Sequence, residues 1–152
     1  MPAPSSAARS SYLAIVILGV LHHIDHVLRW DHSGWPFRRQ VTPFTFSLLV
    51  YPILIPLFFR GVSYTYRIVA LTVVFLFVQS AHIFLERPAD QFHTWADGVS
   101  HFQPAYGKPN VLHLQSPFLG AVAVTISLLL SLALVVALIL TFRDRQRSRE
   151  HF

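Results

Sequence analysis

Between Pro117 and Phe142 the chain carries no charged side chain. An apolar stretch of that length is read as a helix that crosses a bilayer, because ~20 apolar residues span a hydrocarbon core ~30 Å thick. Three further apolar runs approach it in length, at about residues 11–30, 41–59 and 66–86. Inside lipid every backbone polar group must be satisfied within its own segment. The expected fold is therefore an all-α integral membrane protein, a bundle of four transmembrane helices forming one domain over residues 1–152. Composition agrees: 12% of the residues are charged and 53% hydrophobic, whereas soluble domains carry about 25% charged residues.

The four runs differ in how they begin and end. Tyr12 to Leu21 is short enough for the core of a cleaved signal peptide, but no small-x-small cleavage pattern follows. The segment continues helically through His22 and His23 to Trp30, so it is read as a span. Pro52 and Pro56 interrupt the second run, where the lost N–H donors should kink the helix. Pro88 stops the third. Four spans put both termini on one side, and Arg143, Arg145, Arg147 and Arg149, in a basic tail over 143–152, assign that side to the cytoplasm. Arg38 and Arg39 in the first connection argue mildly the other way. The expected location is the inner (plasma) membrane, multi-pass, with residues 87–116 outside.

With a net charge of +5 the chain could suggest a nucleic-acid binder, but this arginine block just beyond the last apolar run reads more simply as a cytoplasmic membrane anchor, so no nucleic-acid partner is implied; the lipid bilayer is the expected one. The chain has no cysteine, which excludes disulfides and thiolate ligands and leaves His, Asp and Glu for any metal. The only lysine, Lys108, lies outside the spans, so no buried amine is available for a Schiff base. A glycine-rich phosphate loop is absent as well.

Nine histidines are the chemistry-bearing feature. On the first span His22, Asp25, His26 and Arg29 share a face, because i, i+3 and i+4 positions stack. At 1.5 Å per residue His26 sits about 8 Å and His22 about 2 Å outward of the midplane. Ionisable groups at such depth cost on the order of 3 kcal/mol, so they face the bundle interior and find partners; Asp25 and Arg29 form the obvious internal ion pair. On the third span Gln79, His82 and Glu86 share a stripe, with His82 about 9 Å outward, level with His26.

Imidazoles and a carboxylate from two neighbouring helices match the way bundle-core metal sites are built. His22, His26, His82 and Glu86 are the expected ligands. Nitrogen and oxygen donors without sulfur suit zinc, non-haem iron, manganese or copper(II). Asp25 would orient a histidine from behind, with His23, Arg29 and Gln79 completing the surroundings or moving protons. Neither HEXXH nor the paired Glu-x-x-His of di-iron bundles is present.

In the segment between the last two spans, Ala89 to Phe102 reads as an amphipathic helix. Asp90, His93, Asp97 and His101 lie on one stripe and Phe92, Trp95, Val99 and Phe102 on the other. Gly98 costs such a helix about 1 kcal/mol relative to alanine. Either His93, Asp97 and His101 add ligands to the intramembrane site, or the aromatic face dips into the headgroups and the His/Asp stripe points away; geometry favours the second. Trp30, Trp35, Trp95 and Tyr106 read as an aromatic belt. Ala123, Ser127 and Ser131 read as a close-packing stripe, against another helix or a second copy. His32 and His113 read as surface residues, and His151 belongs to the opposite end.

The leading expectation is a metal-binding membrane protein with a His/carboxylate site opening to the outer face, an oxidoreductase or metal handler. Three histidines within five residues of a span exceed what packing requires. One alternative is a b-type haem electron carrier with His26 or His23 and His82 as axial ligands, for which Ala81 and Gly19 are the small residues near the ring. The other is a non-catalytic subunit of a larger complex with a polar histidine network or proton path.

Overall fold

The computed structural model describes residues 3–29, 47–101 and 106–150. Trp30, His32, Trp35, Arg38, Arg39, Phe102 and His151 lie outside the described residues, as do residues 41–46 at the start of the second predicted span.

Helix α1 (Ser6–Leu28) begins earlier than the apolar pattern suggests, because Ser5 caps it: its hydroxyl accepts from Ala8 N. Helix α2 (Val50–Leu54) is one α-helical turn and a half, preceded by a 3₁₀ turn and followed by another, Ile55–Phe58. Pro52 and Pro56 remove the donors a continuous α-helix would need. Helix α3 (Tyr64–Ser80) starts under a Ser63 cap and runs into a π-helical turn, Ala81–Leu85, closed by Glu86 N donating to Ala81 O. Helix α4 (Pro88–Ala96) opens with proline at its first position, and the Asp90 carboxylate accepts from Arg87 N. It ends before Gly98, whose φ of 76° is left-handed; the helix predicted to Phe102 is thus cut at the residue that disfavoured it. Helix α5 (Pro117–Glu150) continues through the basic tail, since nothing after Phe142 breaks it and arginine and glutamine propagate helix well.

Among the described residues all the regular structure is helical apart from one isolated bridge, Val99 to Pro109. Three helices are long and apolar enough to cross a membrane: Ser6–Leu28, Tyr64–Leu85 and Pro117–Glu150. The apolar helical stretch Ser47–Phe58 is shorter than a span.

The ends of the helices fix their directions. Ser5 N donates to Asp144 Oδ2 at 2.8 Å, and Tyr64 hydroxyl donates to Ala3 O. The starts of α1 and α3 and the last turns of α5 therefore share one end of the bundle. Between these helices and the Ile55–Phe58 turn, Tyr12, Ile15, Leu57, Leu71, Val74 and Leu134 belong to a buried hydrophobic core. Leu13, Ile17, Val69, Leu76, Leu128 and Leu132 remain half exposed on the outside, where a bilayer would cover them.

Helix α4 lies against α5 at Gly120, where an added Cβ would come within 2.6 Å of Phe92 O; glycine is needed there for the close approach. The following loop folds back as well: Val111 N donates to Leu28 O, and Ser116 N donates to Trp95 O. The end of the bundle away from the termini is thus closed by α4 and its loop.

Candidate functional site

Beneath α4 lies a buried polar layer contributed by α1, the π turn, α4 and α5. Arg29, at the C-cap of α1 and almost fully buried, stands between two carboxylates. Its Nε donates to Asp25 Oδ2 at 2.7 Å, and its Nη1 donates to Glu86 Oε1. Asp25 also accepts from Trp95 Nε1 at 2.8 Å. The i, i+4 pairing of Asp25 with Arg29 follows from helix geometry. The π turn accounts for Glu86: the extra residue per turn carries it past the ideal helical stripe and brings its carboxylate to Arg29.

Three imidazoles occupy the layer just inside. His26 Nε2 lies 2.8 Å from His22 Nε2, and His82 Nε2 lies 3.3 Å from the same atom. The rings of His26 and His82 stand nearly perpendicular to that of His22. Two of the outward-facing nitrogens are held from behind. His22 Nδ1 is 3.1 Å from Ser127 Oγ, whose hydroxyl donates to Gln91 Oε1 at 2.8 Å. A serine hydroxyl with its proton committed to Gln91 accepts from His22 Nδ1–H, which leaves the His22 Nε2 lone pair facing the other two rings. His26 Nδ1 lies 3.2 Å from Arg29 Nη2 and 3.5 Å from Glu86 Oε2.

Three of the four expected ligands, His22, His26 and His82, thus come together through their Nε2 atoms. Glu86 joins them on the far side of His26, through Nδ1, with its carboxylate on Arg29. Asp25, expected behind a histidine, is instead held by Arg29 and Trp95, and the groups beside His26 Nδ1 are Arg29 Nη2 at 3.2 Å and Glu86 Oε2 at 3.5 Å. Gln79 is directed elsewhere, its Nε2 donating to Ser131 Oγ at 2.7 Å. His23 turns away to α2, near Ser47 Oγ at 3.4 Å and the Tyr51 ring. Among the described residues no group of three or more His, Asp or Glu side chains stands ready-made to hold a metal ion.

The amphipathic segment has its His/Asp stripe turned away from the inner histidines, as the favoured expectation had it, and differs in its aromatic face. His93, Asp97 and His101 do form a cluster, with His93 Nδ1 and His101 Nε2 at 3.3 and 2.9 Å from Asp97 Oδ2. It lies on the surface, apart from the inner histidines. The inward face of α4 is Gln91, Thr94 and Trp95, so Trp95 is a buried donor to Asp25 and not a belt residue; Tyr106 is exposed. Ala123 and Ser127 are buried, and Ser127 and Ser131 bond to side chains of α1, α3 and α4. This chain's own helices therefore occupy the small-residue stripe of α5. His113 is exposed, as expected.

Gln91, Trp95 and Ser127 are the site residues that sequence reasoning did not assign to it. A second polar layer near the termini went unforeseen as well. There Tyr12 and Thr141 hydroxyls meet at 2.7 Å, and buried Arg67 donates to the carbonyls of Leu57 and Phe59.

Comparison with protein-family models, with curated proteins and with solved structures finds no match for the chain. The fold and site define a class only: an all-helical protein with three helices able to cross a membrane and a buried histidine–carboxylate–arginine layer toward one end.

Proposed function

We propose that the chain is a metal-binding integral membrane protein in which His22, His26 and His82 supply the ligands and Glu86 orients His26. One observation carries the reading: two Nε2 atoms lie within 3.3 Å of the Nε2 of His22. A ring nitrogen bears either one lone pair or one proton, so His22 Nε2 makes one good hydrogen bond, not two. A cation at the meeting point would satisfy all three nitrogens together. Two nitrogens on a tetrahedral zinc stand about 3.3 Å apart, given Zn–N bonds of ~2.0–2.1 Å. The His22–His82 separation fits that value, and the His22–His26 pair at 2.8 Å would open by about 0.5 Å to admit the ion. Three imidazoles, with Ser127 against His22 and Glu86 beside His26, suit zinc or copper better than manganese, which prefers oxygen.

A metal-free reading has its own support. Arg29 Nη2–H to His26 Nδ1, His26 Nε2–H to His22 Nε2, His22 Nδ1–H to Ser127 Oγ and Ser127 O–H to Gln91 Oε1 make an unbroken donor–acceptor chain. Such a chain glues helices together or relays protons, but it leaves His82 Nε2 against a lone pair already in use. A b-type haem between His26 and His82 has less support, since His22 lies within hydrogen-bond distance of both and takes the iron's place.

Metal stoichiometry of the purified full-length protein and five variants separates the readings. His22→Ala, His26→Ala and His82→Ala each lose the bound metal, while His151→Ala and Asp97→Asn retain it. Full stoichiometry in all three inner variants would overturn the site. Folded wild type purified in the presence of zinc or copper but holding neither would leave the metal-free network.

The positive-inside rule, applied to the arginine-rich end of α5, favours cytoplasmic termini and a histidine layer in the outer half of the bilayer. A reporter fused after Phe152 should read cytoplasmic; a periplasmic reading would move the histidines to the inner half.

A further inference from the structure

The bundle end that carries the termini has a cavity of about 320 Å³, lined by Val62, Ser63, Tyr64, Thr65, Arg145, Ser148 and Arg149. It lies where the apolar span beginning at Tyr64 starts and just beyond Phe142, after which α5 becomes charged. Arg145 and Arg149 are one helical turn apart and face α3 together, and neither forms an ion pair among the described residues. Asp144, the carboxylate adjacent in sequence, is turned inward and accepts from Ser5 N. Arg143 and Arg147 project from the other, exposed side of the helix and line no part of the cavity.

We propose that this cavity binds the phosphate of an anionic phospholipid. Two guanidinium forks with hydroxyls from Thr65 and Ser148 beside them offer the donor set that phosphate oxygens take. The depth of the cavity, level with the first turn of a membrane-crossing helix, is that of a lipid headgroup. Four basic residues in alternation would attract anionic lipid diffusely in any case. The structure adds a division of labour: half-buried Arg145 and exposed Arg149 line the cavity, and Arg143 and Arg147, both exposed, do not.

That division makes the test internal. The full chain in detergent is titrated with dioleoylphosphatidylglycerol or dioleoylphosphatidylcholine, and retained lipid is counted by native mass spectrometry. Wild type should prefer phosphatidylglycerol. The double variant Arg145→Gln/Arg149→Gln should lose that preference by well over the roughly thirtyfold that two basic residues contribute diffusely near an anionic surface. Arg143→Gln/Arg147→Gln, with the same change in charge on the same helix, should lose no more than that diffuse share. Equal losses in the two double variants would mean diffuse attraction and overturn the site, as would no loss in the first. Retention of inorganic phosphate with no preference for the charged lipid would assign the cavity to a free anion and overturn the lipid reading. Unchanged helicity by circular dichroism in both variants confirms that binding, not folding, is being compared.

Discussion

Arg29→Met is the substitution that most directly probes the energetics of the buried layer. Arg29 and Glu86 are almost completely buried and Asp25 nearly so, and the guanidinium bonds to both carboxylates. Removing one partner of a buried ion pair costs about 3–5 kcal/mol, because the remaining charge is left without compensation. Here two carboxylates lose the same partner, so the upper part of that range is expected. The assay is reversible unfolding by SDS titration, followed by helical circular dichroism. Adding Asp25→Asn and Glu86→Gln to Arg29→Met removes the stranded charges while keeping shape, and should recover most of the loss. A cost below about 1 kcal/mol for Arg29→Met, the figure for an exposed pair, would refute the buried arrangement. A triple variant no more stable than the single one would refute the electrostatic cause.

Other consequences concern α4 and its surface. Trp95→Phe removes a donor to a carboxylate and should cost about 1.5–3 kcal/mol, with faster amide exchange in α4 and unchanged exchange in the middle of α5. Gly120→Ala drives a methyl group against the Phe92 backbone; overpacking of this kind costs about 1–3 kcal/mol, and exchange should again report loosening of α4. Asp97→Asn breaks contacts among groups that are one-third to one-half exposed, so stability should change by less than about 1 kcal/mol. A larger effect would mean that the surface cluster is tied to the inner layer.

Helical periodicity and depth were sufficient to bring His22, His26 and His82 together, since both follow from rise and turn alone. The failures arose where the helix departs from ideal geometry or where a partner lies far along the chain. Glu86 was placed on the histidine stripe by a 3.6-residue period, and the π turn at Ala81–Leu85 carries it to Arg29 instead. The aromatic stripe of α4 looked like a membrane-facing surface, yet Trp95 and Gln91 turn inward because the polar layer beneath supplies acceptors. An indole N–H in a largely apolar region needs such an acceptor, and that was the available signal. Ser127 looked like a small packing residue; its hydroxyl acts only because His22 and Gln91 reach it from helices distant in sequence. Among the described residues three of the four expected spans are long enough to cross a membrane, while the described part of the second, Ser47–Phe58, is broken into turns around Pro52 and Pro56.

Elemental analysis with an absorption spectrum, on full-length protein purified from cells supplied with zinc, copper, iron, manganese and haem, tests the central proposal most directly. The account predicts a transition metal, zinc or copper by its donor set, at one equivalent per chain and no Soret band. A Soret band would contradict the imidazole geometry around His22, and folded protein without any metal would contradict metal binding and leave the hydrogen-bonded histidine chain as the role of the layer.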